Sequence, residues 1–301
     1  MVKILVVGDF HGEFPKRVEN KIKKIKPCLI LSQGDFCGYK KLETFFFKRI
    51  YAKEEDEISE KDKKTLENLG KIALRKGMDL VKKFRKIGFP IYAITGNWDL
   101  APFGGDIPKK FDKEDGEQIK KFKDLQNKNF KFVDLSLVEF SDFVLVGGTS
   151  STSPQRVRKN HVERLIKKWG LSKKQAEKEF SSLKKGWEKR QKLYDSAFEK
   201  AIKIRKEKGK KIVFLTHNCP YKTKLDIIKK GPAKGEHYGS YQEKLLIKKY
   251  KPDFVFCGHL HENFGKDKIG KTVVWNVGSA RDGKAVLFES KTGNVKKIKF
   301  I

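Results

Sequence analysis

The sequence predicts an α/β fold in which helices cover a sheet, and three observations support this prediction. Apolar, β-branched runs recur along the chain and end abruptly in polar residues, which is typical of strands buried on both faces. Stretches with the 3.6-residue period of an amphipathic helix lie between these runs. Beyond about residue 271 the runs follow one another without helices, which indicates hairpins. Alternating strands and helices predict layers of helices packed on a sheet.

Eight runs are predicted to be strands, and one segment between them is predicted to be a long helix. In chain order the runs occupy residues 3–9, 27–35, 89–97, 143–150, 211–218, 252–259, 272–279 and 284–290. Residues 61–88 repeat apolar side chains at helical spacing and stop at Gly88, with Pro90 beyond. Dipeptides that favour hairpin turns separate the late runs, at 270–271, 282–283 and 292–293.

Two segments interrupt this alternation. Residues 101–130 combine glycine, proline and mixed charges, which predicts a loop with a short helix. Residues 156–211 are predicted to be helical and carry 21 Lys and Arg against 7 Asp and Glu. This basic insertion is either a lid or electrostatic collar, or a solvated helical cover with no further function.

Length and polarity limit the class of protein. The 301 residues suffice for one large domain or two small ones with a sizeable core. No run approaches the eighteen or so apolar residues of a membrane-spanning helix, so no membrane partner is expected. Residues 1–9 are typical of a first strand rather than a signal peptide, so a cytoplasmic location with reduced cysteines is expected. The sequence leaves the oligomeric state open.

The formal net charge of +31 is the strongest compositional signal. It suggests an acidic partner, such as nucleic acid or an anionic substrate. However, the 69 basic residues are 59 Lys and 10 Arg spread along the chain, whereas nucleic-acid surfaces rely on Arg for bidentate contacts. A general lysine bias therefore competes with nucleic-acid binding as the explanation of the charge.

Potential metal ligands follow five of the predicted strands. They are Asp9, His11, Asp35, Asn97, His217, His259 and His261. A single Asp or His at a strand end is usually a turn or structural residue, but here four of the six histidines in the chain occupy such positions. Because loops at the carboxyl ends of strands converge on one crevice in an α/β sheet, we expect these seven side chains to meet in one metal site.

The mixture of ligands indicates the kind and number of metal ions. Carboxylate, amide and imidazole groups suit divalent Mn, Fe, Co, Ni or Zn, with Mn as the first expectation, and the absence of cysteine argues against structural zinc. Seven ligands are too many for one ion and fit two ions about 3.5–4 Å apart that share a carboxylate. Two such ions clamp the oxygens of a phosphoryl group and acidify a bridging water to hydroxide, the nucleophile of phosphoester hydrolysis.

The ordered motifs GDxHG, GDxxG, GNxD, a strand-end His and GHxH resemble those of the calcineurin-like metallophosphoesterase superfamily over nearly the whole chain. Residues 235–262 and 276–289 resemble a mainly archaeal branch of predicted phosphoesterases related to cyclic-nucleotide phosphodiesterases. The resemblance implies a four-layer α-β-β-α sandwich. It also implies one domain over residues 1–301, with the helical insertion at about 156–211.

The same resemblance implies how two metals divide the ligands. One metal is implied to bind Asp9, His11, Asp35 and His261, and the other Asp35, Asn97, His217 and His259. Asp35 is thereby implied to be the bridge. His259 and His261 alternate on one loop because each serves a different metal.

Two residues depart from the family pattern. Thr216 precedes His217, where the family more often has glycine. Trp98 follows Asn97, where the family usually has a histidine that stabilises the transition state or protonates the leaving group. Tryptophan donates one N–H bond but transfers no proton. Poor leaving groups should therefore depart slowly, and diesters or activated esters should suffer less.

Further residues are candidates for catalysis beside the ligands Asp35 and Asn97. Asp99 is predicted to orient His11 or a similar ligand from behind. His237 would supply the missing proton donor if its loop folds over the site, and is otherwise a surface-loop histidine. Asn218 and Arg281 are weaker candidates for substrate contact.

Three functions are compatible with these observations. The leading hypothesis is a di-metal phosphoester hydrolase that favours phosphodiesters. The second is a metal-dependent nuclease on DNA or RNA, which the basic insertion favours and Trp98 disfavours. The third is a non-catalytic scaffold on the same fold, which would not need all seven ligands. The expected substrate is a phosphoester, with nucleotides and nucleic acid as candidates.

Overall fold

A computed structural model of the protein describes the chain in several stretches. These are residues 2–50, 57–100, 121–122, 124–149, 162–163, 165–166, 170–231, 233–291 and 294–301. Most of the predicted loop at 101–130 and the first part of the basic insertion lie outside the described residues. Within them, two six-stranded sheets carry helices on their outer sides.

The helices and strands have the following bounds. The helices are α1 (Lys16–Ile25), α2 (Lys40–Arg49), α3 (Glu60–Arg85), α4 (Asn97–Leu100), α5 (Lys173–Lys208) and α6 (Tyr241–Tyr250). The strands are β1 (Val2–Val7), β2 (Leu29–Ser32), β3 (Ile91–Ala93), β4 (Phe130–Phe132), β5 (Leu137–Glu139), β6 (Phe143–Gly147), β7 (Lys211–Leu215), β8 (Phe254–Cys257), β9 (Gly265–Ile269), β10 (Thr272–Asn276), β11 (Val286–Lys291) and β12 (Asn294–Phe300).

The first sheet has the strand order β12-β11-β1-β2-β3-β4, and the second has the order β5-β6-β7-β8-β10-β9. In the first sheet β1 to β4 are parallel, and β11 and β12 are antiparallel additions at one side. In the second sheet β6, β7, β8 and β10 are parallel, with an antiparallel strand at each edge. The carboxyl ends of β1, β2 and β3, and of β7 and β8, carry the candidate ligands.

The eight predicted strands and the predicted helix at 61–88 are confirmed, and four strands were missed. The missed strands β4, β5, β9 and β12 are the four edge strands of the two sheets. Edge strands face solvent on one side, so they lack a continuous apolar run; β9 reads GKDKI and β12 reads NVKKIKF. Their lysines also hinder pairing with another chain at the open edge.

Alternating side chains of the central strands build three apolar layers. In β1, Leu5 and Val7 face α1 and α3, whereas Ile4 and Val6 pack between the two sheets. The outer face of the second sheet packs against α5 and α6. The order helix, sheet, sheet, helix confirms the predicted four-layer sandwich.

The described part of the basic insertion forms one wall of the sandwich. Helix α5 begins at a capping box on Ser172 and buries Tyr194, Phe198 and Ala201 against the second sheet. The part of α5 from Tyr194 onward is therefore a cover of this sheet, although its exposed face is rich in lysine. No helix among the described residues has the length and apolar character needed to cross a membrane.

Truncation of Phe288 should destabilise the contact between the sheets. Its ring, on β11, lies 5.9 Å from the ring of Phe143 and 6.0 Å from that of Phe256, both in the other sheet. Phe288→Ala should lower the free energy of unfolding by about 3–5 kcal/mol, because it leaves a cavity in a buried layer. Chemical denaturation followed by circular dichroism measures the loss. Leu193→Ala, at an exposed position of α5, is the control, and equal losses in both variants would contradict the prediction.

Candidate metal centre

Loops from both sheets meet at the carboxyl ends of their strands. The N–H of His11 donates to the carbonyl oxygen of Asp35 at 2.9 Å, which joins the loops after β1 and β2. Across the sheets, the N–H of His259 donates to the carboxylate of Asp9 at 3.3 and 3.2 Å. The structure places all seven candidate ligands in this one region, as two groups of donor atoms.

The first group consists of Asp9, His11 and His261, whose donor atoms lie within 4.8 Å of one another. Nε2 of His11 lies 3.1 Å from Nε2 of His261, which in turn lies 3.4 Å from Oδ1 of Asp9. Two imidazole nitrogens and a carboxylate oxygen that face one another are a donor set for a divalent transition metal.

The second group consists of Asp35, His217 and His259 within the same distance limit, and Asn97 joins it. Oδ1 of Asn97 lies 2.7 Å from Nε2 of His217 and 2.9 Å from Nδ1 of His259. This group therefore offers one carboxylate, one amide oxygen and two imidazoles to a second ion.

The Asp35 carboxylate lies between the two groups. Its Oδ1 accepts a hydrogen bond from the backbone N–H of Trp98 at 2.8 Å. This bond orients Oδ2 toward the site, 3.4 Å from Nε2 of His217 and 3.9 Å from Nε2 of His11. Asp35 thus has the position that a shared ligand requires.

Four of the candidate ligands have left-handed backbone conformations. Their φ angles are 52° at Asp9, 48° at His11, 54° at Asp35 and 67° at His259. Such a conformation costs a non-glycine residue on the order of 1–3 kcal/mol and persists where the surrounding structure imposes it. The strain is concentrated at the strand ends, where the chain turns sharply to direct these side chains inward.

Two glycines of the motifs allow the carboxylates to approach the backbone. A Cβ atom on Gly96 would lie 2.0 Å from Oδ1 of Asp35, and one on Gly258 would lie 2.1 Å from Oδ2 of Asp9. Neither contact is possible, so any side chain at these positions would displace a ligand.

Burial and neighbouring charges shift the pKa values of the site in different directions. Burial, together with Asp99 and Asp9 nearby, raises the pKa of Asp35 well above its usual range. Burial also acts to raise the pKa of Asp9, but the charge of His261 brings it below its usual range. Burial lowers the pKa of His11, so its imidazole is neutral and free to bind a metal.

The residues present fit two divalent ions. Asp9, Asp35 and Asp99 are at most 4 % exposed and lie together. Buried carboxylates at such density are unfavourable unless cations compensate their charge. The histidines compensate only part of this charge, because burial lowers the pKa of His11 and His217. Two divalent ions would supply the missing positive charge.

Asp99 and Glu43 support the site from behind. Asp99 accepts hydrogen bonds from the N–H of Cys37 at 2.8 Å and of Gly96 at 2.9 Å, and so joins two loops behind Asp35. Oε1 of Glu43 lies 3.4 Å from Nδ1 of His11. The sequence analysis missed Glu43, because it lies within α2 and belongs to no motif.

A family model described as calcineurin-like phosphoesterase matches residues 2–263. The chain belongs to the calcineurin-like phosphoesterase family. Membership supports phosphoric ester hydrolysis as the class of reaction, and the two donor groups agree with a family site that holds two metals.

One relative and two solved structures are similar to this family member. Protein MJ1162 of Methanocaldococcus jannaschii is 38% identical over 69 residues, which are 22% of this chain and 31% of that protein, so under a third of the relative's length is matched. One crystal structure has a TM-score of 0.55 at 15% identity and covers 99% of this chain and 98% of that chain. TT1561 of Thermus thermophilus has a TM-score of 0.49 at 14% identity, with 99% and 97% covered. The first of these structures supports the fold and nothing beyond it.

Trp98 is the first departure from the family pattern, and its backbone N–H still contributes to the site. Its N–H holds Asp35, while its indole ring lies 6.2 Å from the ring of His11 and 6.4 Å from that of Phe46. The side chain therefore borders the calcineurin-like centre but brings no transferable proton to it.

Thr216, the second departure, provides a partner for a buried carboxyl group. Its hydroxyl donates to Oε1 of Glu243 at 3.3 Å. Oε2 of Glu243 has no hydrogen-bond partner among the described residues, and burial raises the pKa of this group to about 8. At neutral pH, Glu243 is therefore held mainly as the uncharged acid beneath the loop that carries His217.

His237 lies beside the site on a separate loop. Its Nδ1 is 2.8 Å from Oδ1 of the buried Asp226. The ring of the next residue, Tyr238, stacks on His259 with centroids 6.4 Å apart and an interplanar angle of 16°. Arg281 lies on the other side, with Nη1 2.9 and 3.0 Å from the two oxygens of Glu43.

The raised pKa of Glu243 predicts a specific pH dependence of stability. The unfolded chain releases this proton near pH 4.5 and the folded chain near pH 8, so the folded state binds more protons between these values. The contribution of Glu243 to the free energy of unfolding should therefore be largest below about pH 4.5. It should fall as the pH rises to about 8 and stay at this lower value at higher pH. The predicted loss is about 5 kcal/mol.

Denaturation of the wild type and of Glu243→Gln, measured from pH 5 to pH 8.5, isolates this group. Glutamine stays uncharged, so the wild type should lose stability relative to the variant as the pH rises. Parallel curves would contradict the prediction.

Proposed function

We propose that this protein is a phosphodiesterase that uses two divalent ions, with Mn²⁺ as the first expectation. The observation that carries the proposal is the position of Oδ2 of Asp35, which faces both His11 and His217. One oxygen between two donor groups is the requirement for a bridging carboxylate. Fe, Zn, Ni and Co suit the same ligands.

The proposed assignment gives each ion four ligands. The first ion would be held by Asp9, His11, Asp35 and His261, and the second by Asp35, Asn97, His217 and His259. When bound, two such ions stabilise the charge on the phosphoryl oxygens and lower the pKa of a water toward neutrality. The chain contributes the orientation of these ligands, through the Trp98 N–H on Asp35 and through Glu43 behind His11.

The preference for diesters and activated esters rests on Trp98. An alkoxide of high pKa departs slowly unless an acid protonates it, and indole provides no such acid. Esters whose leaving group is stable as an anion do not need this proton. The protein is therefore proposed to act fastest on esters of that kind.

His237 is proposed to donate the proton that Trp98 does not supply. This role requires that the loop of His237 lies over the site, and two contacts support such a position. Tyr238 stacks on His259, and Nζ of Lys229 donates to the carbonyl oxygen of Glu262 at 2.7 Å. The buried Asp226 orients the imidazole through Nδ1. A carboxylate behind an imidazole is a common arrangement for a general acid.

A nuclease is the second candidate, and the course of α5 favours it. Tyr194 of α5 accepts a hydrogen bond from the N–H of Thr149, beyond the carboxyl end of β6, while Lys208 contacts Glu139 at the other end of the sheet. The residues of α5 that precede Tyr194 therefore extend roughly 30 Å past the end of the sheet on which the metal centre lies. Binding to single-stranded DNA that weakens steeply with salt would favour this candidate.

Three further assignments extend the proposal. The whole of residues 1–301 is proposed to be one domain, a view supported by the pairing of β11 with β1. The cytoplasmic location and the kinship with an archaeal branch of the family both stay predictions.

Asp35→Asn should abolish most of the phosphodiesterase activity. Wild-type protein loaded with Mn²⁺ should hydrolyse bis(p-nitrophenyl) phosphate, and the variant should be slower by about 100-fold or more because the shared ligand loses its charge. Release of p-nitrophenolate is the measurement. Asp79→Asn, at an exposed position of α3, makes the same chemical change away from the site and should keep full activity.

No turnover in wild-type protein shown to contain two metal ions would overturn the proposal. The scaffold on the same fold would then become the leading function.

His237→Gln should affect esters according to their leaving group. Hydrolysis of bis(p-nitrophenyl) phosphate should change little, whereas a diester with an alkyl alcohol as leaving group should react about 10²-fold more slowly, because only the alkoxide needs a proton. The ratio of kcat/KM for the two esters is the readout. An equal decrease for both esters would assign His237 a structural role only.

A further inference from the structure

A cavity of about 620 Å³ lies beside the first group of ligands. Helix α2 and the turn at 280–282 form much of its wall. Its volume is within the range of sites for small organic ligands. Nothing in the proposed chemistry of the metal centre uses it.

The cavity shares a wall with the metal centre. Glu43 lines the cavity, and its Oε1 lies 3.4 Å from Nδ1 of His11. Arg281 lines it as well and binds both carboxylate oxygens of Glu43 through Nη1, at 2.9 and 3.0 Å. These two side chains stand between the cavity and His11, so a group covalently attached to a phosphoryl at the centre would enter the cavity by passing beside them.

The charges of the described residues that line the cavity balance. Lys40, Lys48 and Arg281 are opposed by Glu13, Glu43 and Asp282. A balanced lining does not concentrate anions, unlike the excess of positive charge on the chain as a whole. The cavity therefore suits an uncharged polar group better than a second phosphate or a strand of nucleic acid.

An exposed aromatic ring contributes the apolar surface. Phe47 is 59 % exposed, the largest exposed fraction among the large hydrophobic residues described, and it lines the cavity one helical turn after Thr44. Its ring lies 5.5 Å from that of Phe46, which in turn lies 6.4 Å from that of Trp98. These rings pack edge to face and lead from the cavity back toward the metal centre, and the exposed ring of Phe47 itself offers a face on which another ring can stack.

We propose that this cavity binds the ester arm that stays on the phosphoryl group, and that the arm is uncharged, bears hydroxyl groups and carries a flat ring. A nucleoside has this chemistry: its base stacks on Phe47, and its hydroxyls meet Thr44 and the carboxylates of the lining. The inference rests on the proposed function, since it places the arm relative to a phosphoryl held at the metal centre.

The experiment measures binding of two charge-matched products to the Mn²⁺-loaded protein by calorimetry. Thymidine 5′-monophosphate and methyl phosphate carry the same phosphate and differ in the arm. The nucleotide should bind about tenfold or more tightly than methyl phosphate, which is the contribution of one stacked base. Phe47→Ala should remove most of this preference and leave the Kd of methyl phosphate unchanged. Phe47→Tyr should retain the preference, and Leu193→Ala should have no effect.

Equal Kd values for the two products, or a loss in Phe47→Ala that affects both equally, would overturn the cavity assignment. This outcome is separate from the failure of the proposed function. Turnover of bis(p-nitrophenyl) phosphate without a nucleoside preference refutes the cavity alone, whereas a nucleoside preference without turnover refutes the phosphodiesterase alone.

Discussion

The placement of one buried carboxylate, that of Asp35, is the constraint on which the rest of the site depends. Its backbone carbonyl accepts the N–H of His11, its Oδ1 accepts the N–H of Trp98, and its Oδ2 is left to face both groups of ligands. Three loops are therefore fixed by one residue. Because Asp35 itself has a φ of 54° and stands against Gly96 with no room for a Cβ, its position is imposed by the ends of β2 and β3 and not by its own preference.

The two sheets together make this placement possible. The first sheet supplies Asp9, His11, Asp35 and Asn97, and the second supplies His217, His259 and His261. Neither sheet alone carries a complete donor set for either proposed ion. The apolar layer between the sheets, which includes Phe288, fixes the position of one sheet relative to the other. The stability of this packing offsets the backbone strain at the four candidate ligands with positive φ. In this way the stability of the sandwich and the geometry of the centre depend on the same packing.

The sequence predicts the central strands and the membership of the site, but not its supports. Continuous apolar runs mark the central strands, whereas the edge strands β9 and β12 lack them because one side faces solvent. The seven ligands stand out because each ends a buried run. Glu43 and its contact with Arg281 could not be found in this way, since the contact depends on how α2 meets the turn at 280–282. The partners of Asp99 are backbone N–H groups, which no sequence pattern identifies, so its position behind the ligands stays a prediction of the sequence and its contacts do not.

Anomalous diffraction from crystals of the Mn²⁺-loaded protein tests the central claim most directly. The account predicts two peaks about 3.5–4 Å apart with Asp35 between them, one next to Asp9, His11 and His261 and the other next to Asn97, His217 and His259. A single peak, or two peaks that share no protein ligand, would contradict the assignment of Asp35 as the bridge and with it the proposed two-metal chemistry.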